Sequence, residues 1–393
     1  MEKFWPVAEI KQIHIELTNA CNAACPICPR YYKNSLNVRP DLEITQIRLD
    51  AFKKYFPKEI LSNLDCIMFC GVHGDPILAT DLLEICKYVI ESSPKILIII
   101  HTNGGIREES WWANFGRLFN NSKSHFVFGI DGLEDTNHLY RRNVDWKTLM
   151  RNVRAYIDNG GNAIWDYLIF RHNEHQIEEA TKISKEFGFE EFRLKKALGL
   201  DINGKLKKLP ALDEKGKVDY FIEPPLKKEY RNFQGSDEFT NQEEGSFNAQ
   251  EYDMEEYVRE KKEKITNEIY TDTIPLMDIT DNRVIKCKSK MFNGKKEIFV
   301  DCLGRVMPCC FVGTSMNSPP LDPAGSQLHQ SYNEYGKDSF DLNKTSLEDI
   351  LNKGHLENLY TSSWNKKTIK EGKLLYCIET CGVDSSVGRI RFD

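Results

Sequence analysis

The sequence predicts an α/β fold: six strand–helix units carrying a parallel sheet, then an acidic connector and a smaller cysteine-bearing C-terminal unit. Three observations lead there. Short apolar runs alternate with helix-patterned stretches through the first 200 residues. The pattern changes over residues 201–285, which hold 20 Asp and Glu against 13 Lys and Arg, a net of −7 where the whole chain carries −6. The 12 cysteines gather toward the two ends, with none between Cys86 and Cys287. The expected units are therefore residues 1–200, 201–285 and 286–393.

The elements follow in chain order. Residues 13–17 alternate apolar and polar side chains and read as the first strand. Residues 66–70, 96–100, 125–130, 164–170 and 192–195 are the next five strands. Residues 82–90, 111–119, 146–157 and 177–187 place apolar side chains at helical spacing between them. Near-continuous apolar strands alternating with helices belong to a parallel sheet covered on its faces. Ligands bind at the C-terminal ends of parallel strands, so the polar residues that close each run are the candidates for a site.

The first strand runs directly into Cys21, Cys25 and Cys28, spaced C-x3-C-x2-C. Three thiolates on one loop can hold three corners of a four-iron cluster and leave the fourth iron open. Structural zinc prefers four ligands in pairs, and no histidine or fourth cysteine follows within a dozen residues. The opening residues include Glu2, Lys3, Glu9 and Lys11 and show no export-signal pattern. A reducing cytoplasm is then the expectation, where clustered cysteines bind metal more often than they form disulfides. No apolar run approaches the ~18 residues of a membrane span. The net charge of −6 argues against bulk nucleic acid as the main partner.

The strand, Thr18-Asn19, the three cysteines and Asn22 together resemble the signature of the radical S-adenosylmethionine (SAM) superfamily. The resemblance implies a partial (β/α)6 TIM-like barrel and a [4Fe-4S] cluster on Cys21, Cys25 and Cys28. It implies SAM chelated by the open iron, a 5′-deoxyadenosyl radical that removes a hydrogen atom from substrate, and a flavodoxin- or ferredoxin-type electron donor. Gly74, Asp75 and Pro76 are similar to the family's Gly-Gly-Glu-Pro motif for the SAM amino group, with His73 in place of the first Gly and Asp in place of Glu. Thr102 and Asn103 resemble its Thr-Asn-Gly. Asp131 stands two residues after Gly129, where the family usually has Ser-x-Asp. Arg142, of the pair Arg141-Arg142, and Asn173 fall where relatives approach SAM. Plainer readings stand beside these: Gly-Asp-Pro is good turn chemistry, an Arg pair is commonly a solvated face, and Cys66, Cys70 and Cys86 pack as small hydrophobes.

The C-terminal unit holds six cysteines, at 287, 302, 309, 310, 377 and 381. A strand-like stretch at 297–301, a turn at Gly304, and Ser346-Leu347 with Ile350 lie among them. The arrangement resembles the auxiliary-cluster domains of the SPASM and twitch subfamilies. Six cysteines are too few for two clusters, so a twitch-like α+β domain with one auxiliary [4Fe-4S] cluster is implied. Its ligands are expected to be Cys287, Cys309, Cys377 and Cys381, with Cys302 and Cys310 in reserve. The same four thiolates would also suit zinc. Residues 231–256, acidic and rich in Asn, Gln, Gly and Ser, are expected to stay exposed, and 254–269 could form a short charged helix.

The expected activity is radical modification of a peptide or protein side chain. A barrel starting near Gln12 leaves no leader-binding domain ahead of it and counts against that choice. The alternatives are a small metabolite or nucleotide held near the auxiliary cluster, and a non-catalytic metal-binding or docking protein on the same fold. No catalytic residue beyond the metal ligands is singled out.

Overall fold

The computed structural model describes residues 5–31, 35–202, 205–232, 284–287, 289, 296–318 and 323–382. Most of the acidic stretch at 231–256, and the helix expected at 254–269, lie outside these residues. The six expected strands form as β1 (Ile10–Ile15), β2 (Cys66–Phe69), β3 (Leu97–Thr102), β4 (His125–Gly129), β5 (Asn162–Ile169) and β6 (Glu191–Lys196), all parallel. Helices Leu82–Ser92, Glu109–Phe119, Trp146–Ile157 and Ile177–Phe187 cover the outer face, close to the predicted spans. Local chemistry sets their ends. The Asp145 side chain accepts from Thr148 N at 2.7 Å and caps the third. Gly188 closes the fourth at φ 86°, in the left-handed region.

The outer face of the sheet carries the core. Trp112, Phe115, Phe119, Phe126, Phe128 and Tyr156 are fully buried between β3–β5 and two helices. Trp112 meets Phe126 edge to face with centroids 5.2 Å apart. Each such ring removed from water contributes roughly 1.5–3 kcal/mol.

The connector's described part is folded. Strands β7 (Leu209–Leu212) and β8 (Val218–Ile222) make an antiparallel hairpin, and Tyr220 OH donates to Leu139 O at 2.6 Å. The main difference from the sequence reading lies at residues 296–307. Strand β9 (Lys296–Val300) pairs parallel with β1, and β10 (Val306–Met307) folds back on β9. The sheet therefore has eight strands in the order β10-β9-β1-β2-β3-β4-β5-β6. The C-terminal unit enters through the barrel's own sheet rather than beside it. Among the described residues no helix is long and apolar enough to cross a membrane.

The inner face mixes polar and apolar side chains. Register places His14 beside Met68 and Phe299, Met68 beside Ile99, and Ile99 beside His125. Side chains two residues further along each strand share that face. Glu297 lies there next to Gln12, which donates to its carboxylate. Burial pushes the Glu297 carboxyl from 4.5 up to about 7, while the Gln12 bond pulls the other way. A carboxyl raised in the fold stabilises fully below its unfolded pKa, and that stability is lost as pH rises through the folded value. Glu297→Gln should therefore flatten the fall in melting temperature between about pH 5 and 8, read by calorimetry. An unchanged profile would show that Glu297 ionises without penalty.

Candidate metal centre and adjoining strand ends

The cysteine loop is fastened before any metal is considered. Asn19 accepts from Thr45 N at 2.8 Å and donates to Glu43 O at 2.7 Å. Ala24 N donates to Arg142 O at 2.9 Å, and Arg142 Nε returns a bond to Ala24 O at 2.8 Å. Tyr31 OH donates to Ala23 O at 2.6 Å. The three thiols thus sit on a braced loop at the C-terminal mouth of the sheet.

Two donors point at the sulfurs. Asn103 Nδ2 lies 3.8 Å from Cys21 Sγ, and Arg141 Nη1 lies 3.7 Å from Cys25 Sγ. Burial raises all three thiols, and the Arg141 guanidinium pulls Cys25 back down. Metal binding needs thiolates, so a cation and hydrogen-bond donors at this loop favour the bound form. One buried and two half-buried thiols, with donors aimed at two of them, fit an iron–sulfur cluster as its protein ligands.

The strand-end residues fall into two groups. Asp75 Oδ2 accepts from Thr102 Oγ1 at 3.1 Å, Asn103 N at 2.8 Å and Asn103 Nδ2 at 2.7 Å. Its Oδ1 takes Ile77 N at 3.2 Å, and Pro76 starts the short turn that follows. The carboxylate is spent on positioning Asn103 against Cys21. Gly74 is demanded by space: a Cβ there would lie 1.8 Å from Thr18 O. Asp75→Ala should release Asn103 and weaken SAM affinity several-fold while iron content holds, checked by equilibrium dialysis and iron assay. Unchanged affinity would leave Asp75 as a turn residue.

At the fourth strand, Asp131 is fully buried and binds Arg141 Nε at 2.6 Å and Leu168 N at 2.7 Å. The missing side chain of Gly129 makes room for this arginine, since a Cβ would stand 2.3 Å from Arg141 Nη2. Arg142 turns the other way. Its guanidinium holds Ala24 O, Leu212 O and Ser35 O, so it clamps the loop from behind. Asn173 is likewise engaged, donating to Asp131 O and Leu168 O and accepting from Phe170 N. Sequence reasoning chose Arg142 from the pair Arg141-Arg142, whereas Arg141 is the one that reaches Cys25. Its signal was Gly129, whose missing side chain leaves the guanidinium its place.

In the C-terminal unit, Cys287, Cys309, Cys377 and Cys381 line one small pocket with Tyr360 and Trp364. Cys287 Sγ stands 2.8 Å from Ser289 Oγ. Cys302 is buried and does not line this pocket; the charges acting on it are those of Glu16, Asp301 and Arg305. Cys310 starts the helix Cys310–Met316, does not line this pocket, and bears electrostatically on Cys70. Among the described residues no three His, Cys, Asp or Glu side chains crowd to the spacing of a single metal ion.

Comparison with known proteins completes the picture. Residues 15–183 match the Radical SAM superfamily. No curated protein matches the chain. Streptococcus suis SuiB bound to S-adenosylmethionine aligns at 13% identity and a TM-score of 0.45, over 77% of this chain and 61% of that one. The chain thus spans about three fifths of that SuiB structure. SuiB bound to precursor peptide SuiA aligns at 11% identity and 0.49, over 97% and 71%. The anSMEcpe structure with bound AdoMet aligns at 16% and 0.48, over 91% and 81%. At such identities and TM-scores these likenesses establish no shared activity.

Proposed function

With residues 15–183 a radical SAM superfamily domain, we propose that this protein is an enzyme that cleaves SAM reductively and removes a hydrogen atom from a peptide or protein side chain. One observation carries the reading: a braced three-thiol loop at the strand ends, with Asn103 on Cys21 and Arg141 on Cys25. Cys21, Cys25 and Cys28 would hold a [4Fe-4S] cluster. The cluster and SAM supply, when bound, an electron and a 5′-deoxyadenosyl radical.

The chain's own residues do the rest. Asn103, fixed by Asp75, orients the first ligand sulfur. Arg141, fixed by Asp131, offsets thiolate charge at the second. Its remaining guanidinium donors suit a carboxylate such as that of SAM. The fully buried outer face keeps water from reaching the site through the helices.

Cys287, Cys309, Cys377 and Cys381 would hold an auxiliary [4Fe-4S] cluster. Four thiols line one pocket, enough for a complete ligand set. With all four bound, no metal position would be left for a small substrate, which supports a peptide substrate over a metabolite bound directly to iron. Electrons would come from a flavodoxin- or ferredoxin-type donor.

The test is anaerobic reconstitution followed by iron and sulfide assay and incubation with SAM and a low-potential reductant. About eight irons per chain and release of 5′-deoxyadenosine are expected. About four irons would remove the auxiliary cluster, and no 5′-deoxyadenosine would reject the activity.

A further inference from the structure

The barrel's inner face holds three reactive side chains that belong neither to the cysteine loop nor to the residues proposed to meet SAM. His14, Met68 and Ile99 are neighbours on β1, β2 and β3. Two residues on, the same level of the same face carries Glu16, Cys70 and His101. One further step along β3 is Asn103, whose side chain touches Cys21. The acid, the thiol and the imidazole thus lie one level inward from the cysteine loop.

Each is held in a form suited to hydrogen traffic. Glu16 is fully buried, and its Oε1 accepts from His73 N at 2.6 Å and Gly74 N at 3.2 Å. Its Oε2 has no partner. Burial pushes this carboxyl up to about 7, within reach of a proton at neutral pH. His101 is half-buried and lowered to about 4 by desolvation, so its ring is neutral. Cys70 is half-buried, with only a long 3.9 Å contact from its Sγ to Gly71 O. Burial and the nearby Cys310, Glu16 and Asp75 keep it protonated. A protonated thiol offers an S–H bond weaker than an aliphatic C–H bond, so a carbon radical takes its hydrogen downhill.

We propose that Cys70 returns a hydrogen atom to a substrate-centred carbon radical in the barrel lumen, with Glu16 and His101 relaying the proton that resets it. The inference rests on the radical reading above. In the step, a C–H bond forms on substrate, the Cys70 S–H bond breaks, and a thiyl remains. One electron from the low-potential one-electron donor and one proton through Glu16 or His101 restore the thiol. The substrate carbon therefore exchanges a hydrogen and undergoes no net oxidation.

The experiment incubates the reconstituted holoprotein in D2O with SAM and titanium(III) citrate, without added substrate. In an empty lumen the proposal makes Cys70 S–D the bond that quenches the adenosyl radical. The released 5′-deoxyadenosine should carry one deuterium in the wild type and none in Cys70→Ser, while Cys86→Ser matches wild type. Product without deuterium in the wild type, or with equal deuterium in Cys70→Ser, overturns the proposal. Absence of 5′-deoxyadenosine altogether would instead reject the radical reading. A second measurement needs no turnover and no variant: anaerobic N-ethylmaleimide labelling of the holoprotein, mapped by peptide mass. Cys70 should react faster than buried Cys66 and Cys86 and be protected by S-adenosylhomocysteine; labelling indifferent to it also overturns the proposal.

Discussion

Replacing Cys21, Cys25 and Cys28 together by Ala is expected to abolish reductive SAM cleavage and to halve the iron, from about eight to about four per chain. On the proposed reading the three thiols are the cluster's protein ligands, and the surrounding donors cannot substitute for them. Asn103 and Arg141 present N–H groups, which bind thiolates and anions but not iron. The fold should survive, because the loop is braced by Asn19, Tyr31 and Arg142 rather than by its sulfurs. Chromatographic assay of 5′-deoxyadenosine and iron analysis of the same preparation separate the outcomes. Persisting 5′-deoxyadenosine would sink the central claim; iron lost entirely would mean that the C-terminal thiols hold none.

Arg141→Ala is expected to remove about 3 kcal/mol of stability and most SAM affinity. Asp131 is fully buried, and the guanidinium 2.6 Å away is its only cationic partner among the described residues. Breaking a buried pair from one side strands the other charge, which costs about 3–5 kcal/mol. Arg141 keeps 21% of its side chain exposed, so the lower end applies. Urea denaturation reads the stability; a loss well under 1 kcal/mol would mean that water replaces the guanidinium. Arg141→Lys should recover part of the stability but not the SAM affinity, because an ammonium cannot bridge Asp131 and Cys25 as the fork does. Gly129→Ser should behave like a mild version, since its Cβ would enter the guanidinium's place.

The barrel half was legible because parallel strands announce themselves as short apolar runs. Every predicted strand and helix in the first 200 residues has a counterpart within a few residues. Residues 297–301 read as a strand but were assigned to the C-terminal unit. Their pairing with β1 joins positions about 285 residues apart, as between Gln12 and Glu297, and no local pattern encodes such a partner. The site was legible only as a set of strand ends. Arg141 and Arg142 are adjacent, and the turn that ends at them sends one guanidinium to Asp131 and the other to carbonyl oxygens behind the loop. Cys309 and Cys310 divide in the same way, one lining the four-thiol pocket and the other outside it.

The sequence by itself determined the parallel α/β barrel and the three-thiol loop at its mouth, because strand period, helix period and cysteine spacing are local properties of the chain. Only the tertiary structure decided which of two neighbouring arginines serves that loop and which strand extends the sheet. It also decided that Glu16, Cys70 and His101 share one level of the inner face. These are relations between residues far apart in sequence, set by packing and by the direction each side chain takes once the sheet has curved.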